Sequence, residues 1–357
     1  MTGTIAVPPQ IRIVLVEDPN RVQVSMSAVL RDLGFAVAGV ASNMAGAVAM
    51  VRQHNPAIVI ANLRLADGDG IQLCTLLLQE RGIPIILITD SGVPEPDVFF
   101  AATSAGALDV LSSPPAKNHP DYERATRHLA RTIRTLSGVR IMARRRDRQV
   151  VAGPAPLDAD AGRPRTAGDD LIIAVGASTG GPMVVADILR ALAGRPFAFA
   201  VVVQHMVPEF IAGFGTWLES QIQVPVRLAE DGLLPEKGVV YLAPPKCQIQ
   251  IEASGRFRTA SAKSLQTTHV PSIDVAFLSL SKFRPANTTA VLLTGMGHDG
   301  AEGLKVLRDA RAFTIVQTPE SAVLASMPEK AIARGAAMLT LSPEDIQKTL
   351  AKRLADG

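Results

Sequence analysis

A hydroxyl, an imidazole and a carboxylate, the three groups of an acyl-transfer site, each lie in this chain just beyond a run of apolar residues. Ser178 stands in LIIAVGASTGGP, residues 171–182, where an apolar run breaks into glycines before Pro182. Gly176, Ala177, Ser178, Thr179 and Gly180 match GxSxG, the pattern of a serine presented on a tight strand-to-helix turn. Alone, the pattern also fits a structural turn or a phosphate cradle at a helix N-terminus. A dinucleotide site is disfavoured, because the glycine spacing is not GxGxxG and the next strand ends in Gln204 and His205 rather than an acid.

A serine needs a base, and the chain has six histidines. His54, His119 and His128 fall in the first third and are expected at its surface. His205 directly follows the strand-like FAFAVVVQ, which puts it at the carboxyl end of the strand next in sequence to that of Ser178. His269 and His298 are the rival bases. The acid is Asp299 in VLLTGMGHDGAEGL, residues 291–304, where it can accept the imidazole N–H and fix the tautomer. Asp299 also suits an N-cap of the helix that follows. The N–H groups of Gly295, Met296 and Gly297 suit an oxyanion site.

Elements that position such groups can be read from the apolar pattern. Strand-like runs at 11–16, 35–40, 57–61, 83–89 and 108–111 alternate with helical patterns at 21–33 and 44–54 and between the last two runs, predicting a doubly wound parallel sheet. Residues 138–170 change character: an arginine-rich helix end (Arg140, Arg144, Arg145, Arg146, Arg148) leads into AGPAPLDADAGRPRTAGDD, a linker composition. Beyond it, strands at 171–175, 197–203, 239–242, 249–252, 289–293 and 313–316 alternate with helices at 183–192, 273–282 and 302–309. The two short runs between Val239 and Phe257 leave no room for a helix and predict a hairpin within a mostly parallel sheet.

At 357 residues two domains are expected, and 47% hydrophobic residues supply core for both. No apolar run approaches the roughly 20 residues of a membrane span, and the start lacks a signal-peptide pattern, so a cytoplasmic protein without membrane insertion is expected. Cys74 and Cys247 lie far apart without metal-ligand spacing, and the net charge of +3 gives no reason to expect nucleic acid.

The first third resembles a response-regulator receiver domain over about residues 10–137. The resemblance rests on the acidic pair Glu17 and Asp18, on ANLRLADGDGIQL, on Thr89 and on AGALDVLSSP. Three positions depart from that family. Asn62 stands where the phosphorylated aspartate is expected, Ser113 where the phosphate-contacting lysine is expected, and Val110 where an aromatic switch residue is common. An amide oxygen is a far weaker nucleophile than a carboxylate, so this is read as a pseudo-receiver with a degenerate phosphoacceptor site, and Asp67 and Asp69 are poor substitutes. Such a domain would be a fixed cover, a docking module or inert.

GASTGG, QHM at 204–206, HVPSIDVAF at 269–277, LTGMGHDGAEGL and SMPEKAI together resemble the chemotaxis receptor methylesterase (CheB) family over nearly all of 170–350. The resemblance implies a serine, histidine and aspartate triad in chain order, which falls on Ser178, His205 and Asp299, with the Thr179 side chain and the Met296 N–H as oxyanion donors. Domains are expected at 1–137, 138–168 (linker) and 169–357, the first flavodoxin-like and the last an α/β methylesterase domain with a β-hairpin. The implied activity is hydrolysis of glutamate methyl esters on chemoreceptor cytoplasmic helices, and also deamidation of receptor glutamines, without metal or cofactor. A chemotaxis histidine kinase or adaptor is a further partner suggested by the resemblance. The rival readings are an esterase or amidase on a protein of another signalling system and a non-catalytic interaction protein.

Overall fold

The computed structural model describes residues 10–18, 25–90, 92, 94–139, 171–261 and 269–355. The chain divides into two compact units, Met1–Asp147 and Arg148–Gly357. Beyond Val139, the expected linker and its arginine cluster lie outside the described residues, as do residues 21–24 of the first expected helix.

In the first unit the order is β1 (Arg12–Val16), α1 (Met26–Asp32), β2 (Ala36–Ala41), α2 (Met44–His54), β3 (Ile58–Asn62), β4 (Arg64–Leu65), β5 (Gly68–Asp69), α3 (Gly70–Glu80), β6 (Ile85–Thr89), α4 (Pro96–Ser104), β7 (Asp109–Ser112) and α5 (Tyr122–Leu136). The sheet is parallel in the order β2-β1-β3-β6-β7, a doubly wound arrangement. Its inner strands are apolar along nearly their whole length because helices cover both faces. Every residue of β3 and β6 is buried. Side-chain oxygens of Ser25, Asn43 and Asp69 accept the first-turn N–H groups of α1, α2 and α3, which fixes where those helices start. The α5 helix buries Leu129, Ala130, Ile133 and Leu136 on one face.

The second unit runs β8 (Ile172–Ala177), α6 (Gly181–Leu189), β9 (Phe199–Gln204), α7 (Ile211–Ile222), β10 (Val226–Leu228), β11 (Val240–Leu242), β12 (Cys247–Ile251), β13 (Phe257–Ser261), α8 (Ile273–Leu280), β14 (Thr288–Leu292), α9 (Ala301–Asp309), β15 (Phe313–Gln317), α10 (Ser326–Ala333), β16 (Leu339–Leu341) and α11 (Pro343–Ala355). Seven strands form a parallel sheet in the order β10-β11-β9-β8-β14-β15-β16. The chain starts at β8, builds outward through β9, and later returns to β8's other side with β14. That reversal makes the carboxyl ends of β9, β8 and β14 a topological switch point, the place where ligands bind in open α/β sheets.

The hairpin is present, but its partners differ from the expected ones. Residues 240–242 are a parallel strand between β9 and β10, while β12 pairs antiparallel with β13, Ile251 opposite Phe257. A three-residue apolar run does not reveal which neighbour completes it, since pairing is decided across the sheet. Phe257 locks the hairpin down, its ring edge-on to Tyr241 at 4.8 Å and to Phe199 at 5.9 Å. The Ser279 hydroxyl also accepts the N–H of Ile251 at 3.0 Å, tying α8 to the hairpin.

Candidate active site

Ser178 is the first residue after β8, and its N–H donates to the Thr294 carbonyl at 3.0 Å, just beyond β14. The Gly181 N–H donates to the Ser178 carbonyl at 2.8 Å, closing the turn into α6. A serine on a strained elbow carries the unusual backbone itself, but here the left-handed conformation falls on Gly180, with φ of 75°. The sharp bend comes two residues after the nucleophile, at a residue that adopts it without strain. Ser178 is buried, with 9% of its surface exposed.

His205 follows β9 immediately, and its N–H donates to the Ala177 carbonyl at 2.9 Å. Gln204, nearly fully buried, binds both turns: its side-chain nitrogen donates to the Ser178 carbonyl at 2.8 Å and to the His205 carbonyl at 3.0 Å. The His205 ring turns Nε2 toward Asp299, 2.9 Å from Oδ2. Of the rival bases, His298 is exposed, and His269 stacks on His205 without replacing it.

Asp299 does not cap the helix that follows it. The cap of α9 is Gly300, and the Asp299 carboxylate instead sits on the N-terminus of α8. Its Oδ1 accepts Ser272 Oγ at 2.8 Å and the Asp274 N–H at 3.1 Å, and its Oδ2 accepts the Ile273 N–H at 2.7 Å. Asp274 returns the contact, accepting the Gly303 N–H in the first turn of α9 at 2.6 Å. Burial alone would raise the Asp299 carboxyl. The hydrogen bonds from His205, Ile273 and Asp274 outweigh it and hold the group well below the usual carboxylate range. Beside it, burial raises the Asp274 carboxyl to about 6, with the Asp299 charge adding to the rise against the Gly303 N–H.

The loop 294–297 runs against the nucleophile. A side chain at Gly295 would strike Met327 Sδ and come within 2.6 Å of Ser178 Cβ, so only glycine lets this backbone approach. Two of the three N–H groups expected to line an oxyanion site are engaged elsewhere: Gly295 donates to the Leu324 carbonyl at 3.0 Å and Gly297 to Ser326 Oγ at 3.0 Å. Met296, the donor that the family resemblance implies, lies between these two. Ser326, from SMPEKAI, also donates to the Gly295 carbonyl at 2.9 Å and so braces the loop on both sides. Thr294 Oγ1 donates to the Thr179 carbonyl at 3.0 Å, fastening the other expected oxyanion residue to the same loop. Gln204, Gln248, Ser272 and Ser326 went unrecognised as parts of this site in the sequence. The available signal was that Gln204, Ser272 and Ser326 lie in QHM, HVPSIDVAF and SMPEKAI, segments that carry the family resemblance.

In the first unit, Asn62 ends β3 and is buried together with Asp18 and Thr89. The Ser113 N–H donates to the Thr89 carbonyl at 2.8 Å, so this residue does stand at the same sheet edge. Burial, then the charge of Asp90, raises the Glu17 carboxyl. Lys117, the single lysine of the first 147 residues, pairs with Asp32 at 3.3 Å, at the end of α1. That helix end leads into β2, whose Ala36 N–H bonds Ile11 beside the start of β1, at the sheet edge opposite Asn62. The neighbouring acids serve as helix caps: Asp67 accepts the Met44 N–H at 2.9 Å and Asp69 the Gln72 N–H at 2.7 Å.

Among the described residues no helix is long and apolar enough to cross a membrane. The CheB methylesterase family model matches residues 173–350, and the response regulator receiver domain model matches 13–119. A protein-glutamate methylesterase/protein-glutamine glutaminase of Hahella chejuensis is 32% identical over 95% of this chain and 97% of its own length. One from Anaeromyxobacter dehalogenans is 35% identical over 96% of this chain and 98% of its own. Among solved structures, the Thermotoga maritima CheB methylesterase catalytic domain is 30% identical with a TM-score of 0.49, covering 52% of this chain and 99% of that one. Two relatives of this similarity, covered over nearly their whole length, show that the chain belongs to the CheB methylesterase family, with the receiver-domain match preceding the methylesterase match.

Proposed function

We propose that Ser178, His205 and Asp299 hydrolyse the methyl ester of glutamate side chains on chemoreceptors, and by the same route deamidate glutamines, in chemotactic adaptation. The observation that carries this reading is the convergence of the three residues at the carboxyl ends of adjacent strands β9, β8 and β14, with His205 Nε2 on the Asp299 carboxylate. With Nε2 donating to Asp299, neutral imidazole presents Nδ1 as its acceptor. Nδ1 is thus the base, the reverse of the usage in chymotrypsin-like triads.

Ser178 Oγ attacks the ester carbonyl as its proton passes to His205 Nδ1, and Asp299 stabilises the resulting imidazolium. The oxyanion forms against the Met296 N–H and the Thr179 hydroxyl. As the tetrahedral intermediate collapses, the proton returns to the leaving oxygen and methanol departs, or ammonia from a glutamine. Water then gives its proton to His205 while attacking the acyl-serine, which releases glutamate and restores Ser178. Receptor membranes carrying labelled methyl esters test the reading. Volatile methanol is expected to appear on mixing with the chain, and its absence from every methylated receptor tried would favour a different protein ester as substrate.

The receiver domain is read as unable to accept phosphate. Asn62 supplies no carboxylate, both nearby loop acids cap helices, and the lysine of this unit pairs with Asp32. Incubation with a small phosphodonor and magnesium is expected to leave no acid-labile label, and stoichiometric labelling would overturn the reading.

A further inference from the structure

The paired register of β8 and β9 ends at Ala177 and Gln204. Beyond it the two chains part: the Ser178 N–H turns to the Thr294 carbonyl, beside β14, while His205 leads toward a short helical turn at Pro208–Phe210. One side chain spans the gap. Gln204 is almost fully buried, and its Nε2 donates to the Ser178 carbonyl at 2.8 Å and to the His205 carbonyl at 3.0 Å. These are the carbonyls of the proposed nucleophile and base themselves, each one bond from its residue's Cα. The Gly181 N–H also holds the Ser178 carbonyl, at 2.8 Å.

This tie works against stability. A primary amide offers two donors and an accepting oxygen; both donors of Gln204 are used, yet its Oε1 is buried with no hydrogen-bond partner among the described residues. Such an oxygen gives up water and gains nothing in return, which weakens the fold. Gly181 makes the room for it, since a Cβ there would lie 2.3 Å from Oε1 and 2.8 Å from Ala177 Cβ. An apolar side chain of the same length would fill the space without burying an unpaired oxygen. It could not hold two carbonyls.

We propose that Gln204 is a positioning residue: its amide nitrogen fixes the separation of Ser178 from His205 where the strand ladder no longer does. Asp299 holds one ring nitrogen of His205, which orients the imidazole but does not set how far its backbone stands from the serine. With both carbonyls within 3.0 Å of one nitrogen, neither turn can drift from the other without breaking a buried hydrogen bond. The inference rests on the proposed serine mechanism but not on the identity of the substrate.

The test uses the full-length chain and three readouts: methanol release from methylated receptor, p-nitrophenolate release from p-nitrophenyl acetate above the rate of Ser178→Ala, and the unfolding temperature. The small ester reports nucleophile activation whatever the protein substrate. Gln204→Met, which matches glutamine in length without its amide, is expected to lower kcat on both esters by about tenfold to a hundredfold, the scale of a misplaced catalytic group, with KM for receptor within about twofold. Its unfolding temperature is expected within about 4 °C of wild type. The pH midpoint of kcat is expected to stay in place, because the Asp299 partner of the His205 ring is unchanged. Gln204→Glu keeps the shape but puts an oxygen where the nitrogen stood, so it is expected to lose at least as much activity as the Met variant. For Gln204→Met, a kcat within about threefold of wild type, a loss confined to KM, a moved pH midpoint or an unfolding temperature lowered beyond that range would each overturn the proposal. So would a Glu variant more active than the Met one. If no receptor releases methanol while the small ester follows the expected order, the substrate reading fails and the role of Gln204 stands. A wild type no faster than Ser178→Ala on either ester sinks both.

Discussion

Ser178→Ala is expected to cut methanol release by about four orders of magnitude or more, the scale seen when a triad nucleophile is removed. The substitution deletes one oxygen from a buried turn whose shape is set by backbone bonds, Ser178 N–H to Thr294 and Gly181 N–H to Ser178, which alanine keeps. Gln204 still finds the same carbonyl. Folding should therefore persist, so that a loss of activity with an unaltered unfolding temperature isolates the hydroxyl. The measurement is pre-steady-state release of labelled methanol with receptor in excess over enzyme, where accumulation of an acyl-enzyme would show as a burst in the wild type. Turnover within tenfold of wild type would end the serine mechanism.

Asp299→Asn is expected to lower kcat by about four orders of magnitude, the scale of a triad acid converted to its amide. The carboxylate has donors on both oxygens: His205 and Ile273 on Oδ2, Ser272 and Asp274 on Oδ1. An asparagine has one oxygen, so its NH2 must face one of these pairs. Facing Oδ2's partners, it collides with the Ile273 N–H and forces His205 to accept at Nε2, which moves the proton to Nδ1 and leaves no base for Ser178. Facing Oδ1's partners, it leaves the Asp274 N–H at the α8 terminus unanswered. Stability should fall as well, with a definite pH dependence. Because the folded carboxyl titrates below the unfolded one, its contribution is fully present above the unfolded value of about 4 and is lost as pH falls toward the folded value. The stability gap between wild type and Asp299→Asn should therefore be widest near neutrality and close in acid. Asp274 runs the other way: its raised folded value near 6 favours the fold at low pH, a contribution lost as pH climbs from about 4 toward 6. Comparing chemical denaturation at several pH values checks the gap; one that does not change with pH would contradict the assigned hydrogen bonds.

Much of the framework was legible in the chain because its central strands are buried on both faces. IIAVGA and FAVVVQ read as continuous apolar runs, and the polar residue that ends each run must lie at the sheet edge where chemistry gathers. That is why Ser178 and His205 were legible from local pattern and chain order. In the first unit the same logic placed Asn62 at the end of β3. Peripheral elements were less legible. The strands β10 and β16 are three residues long and mostly not buried, so alternation had too little length to show, and the helices α7, α10 and α11 went unplaced with them.

The sequence by itself determined which candidate groups stand at strand ends, since a residue's type and its place after an apolar run are local properties of the chain. What only the tertiary structure decided was which partners those groups meet. Asp299 is followed by its own helix yet binds the terminus of α8, 25 to 27 residues earlier. That choice turns Nε2 of His205 to the acid and lowers the carboxyl. The loop N–H groups of Gly295 and Gly297 look available to an oxyanion in sequence, and packing against 324–326 commits both. His269 likewise comes to lie stacked on His205, because Gln248 on a hairpin strand 21 residues away holds its backbone. Hydrogen bonds between segments distant in sequence have no periodicity for a pattern to reveal; they exist once the sheet has brought the loops to one edge.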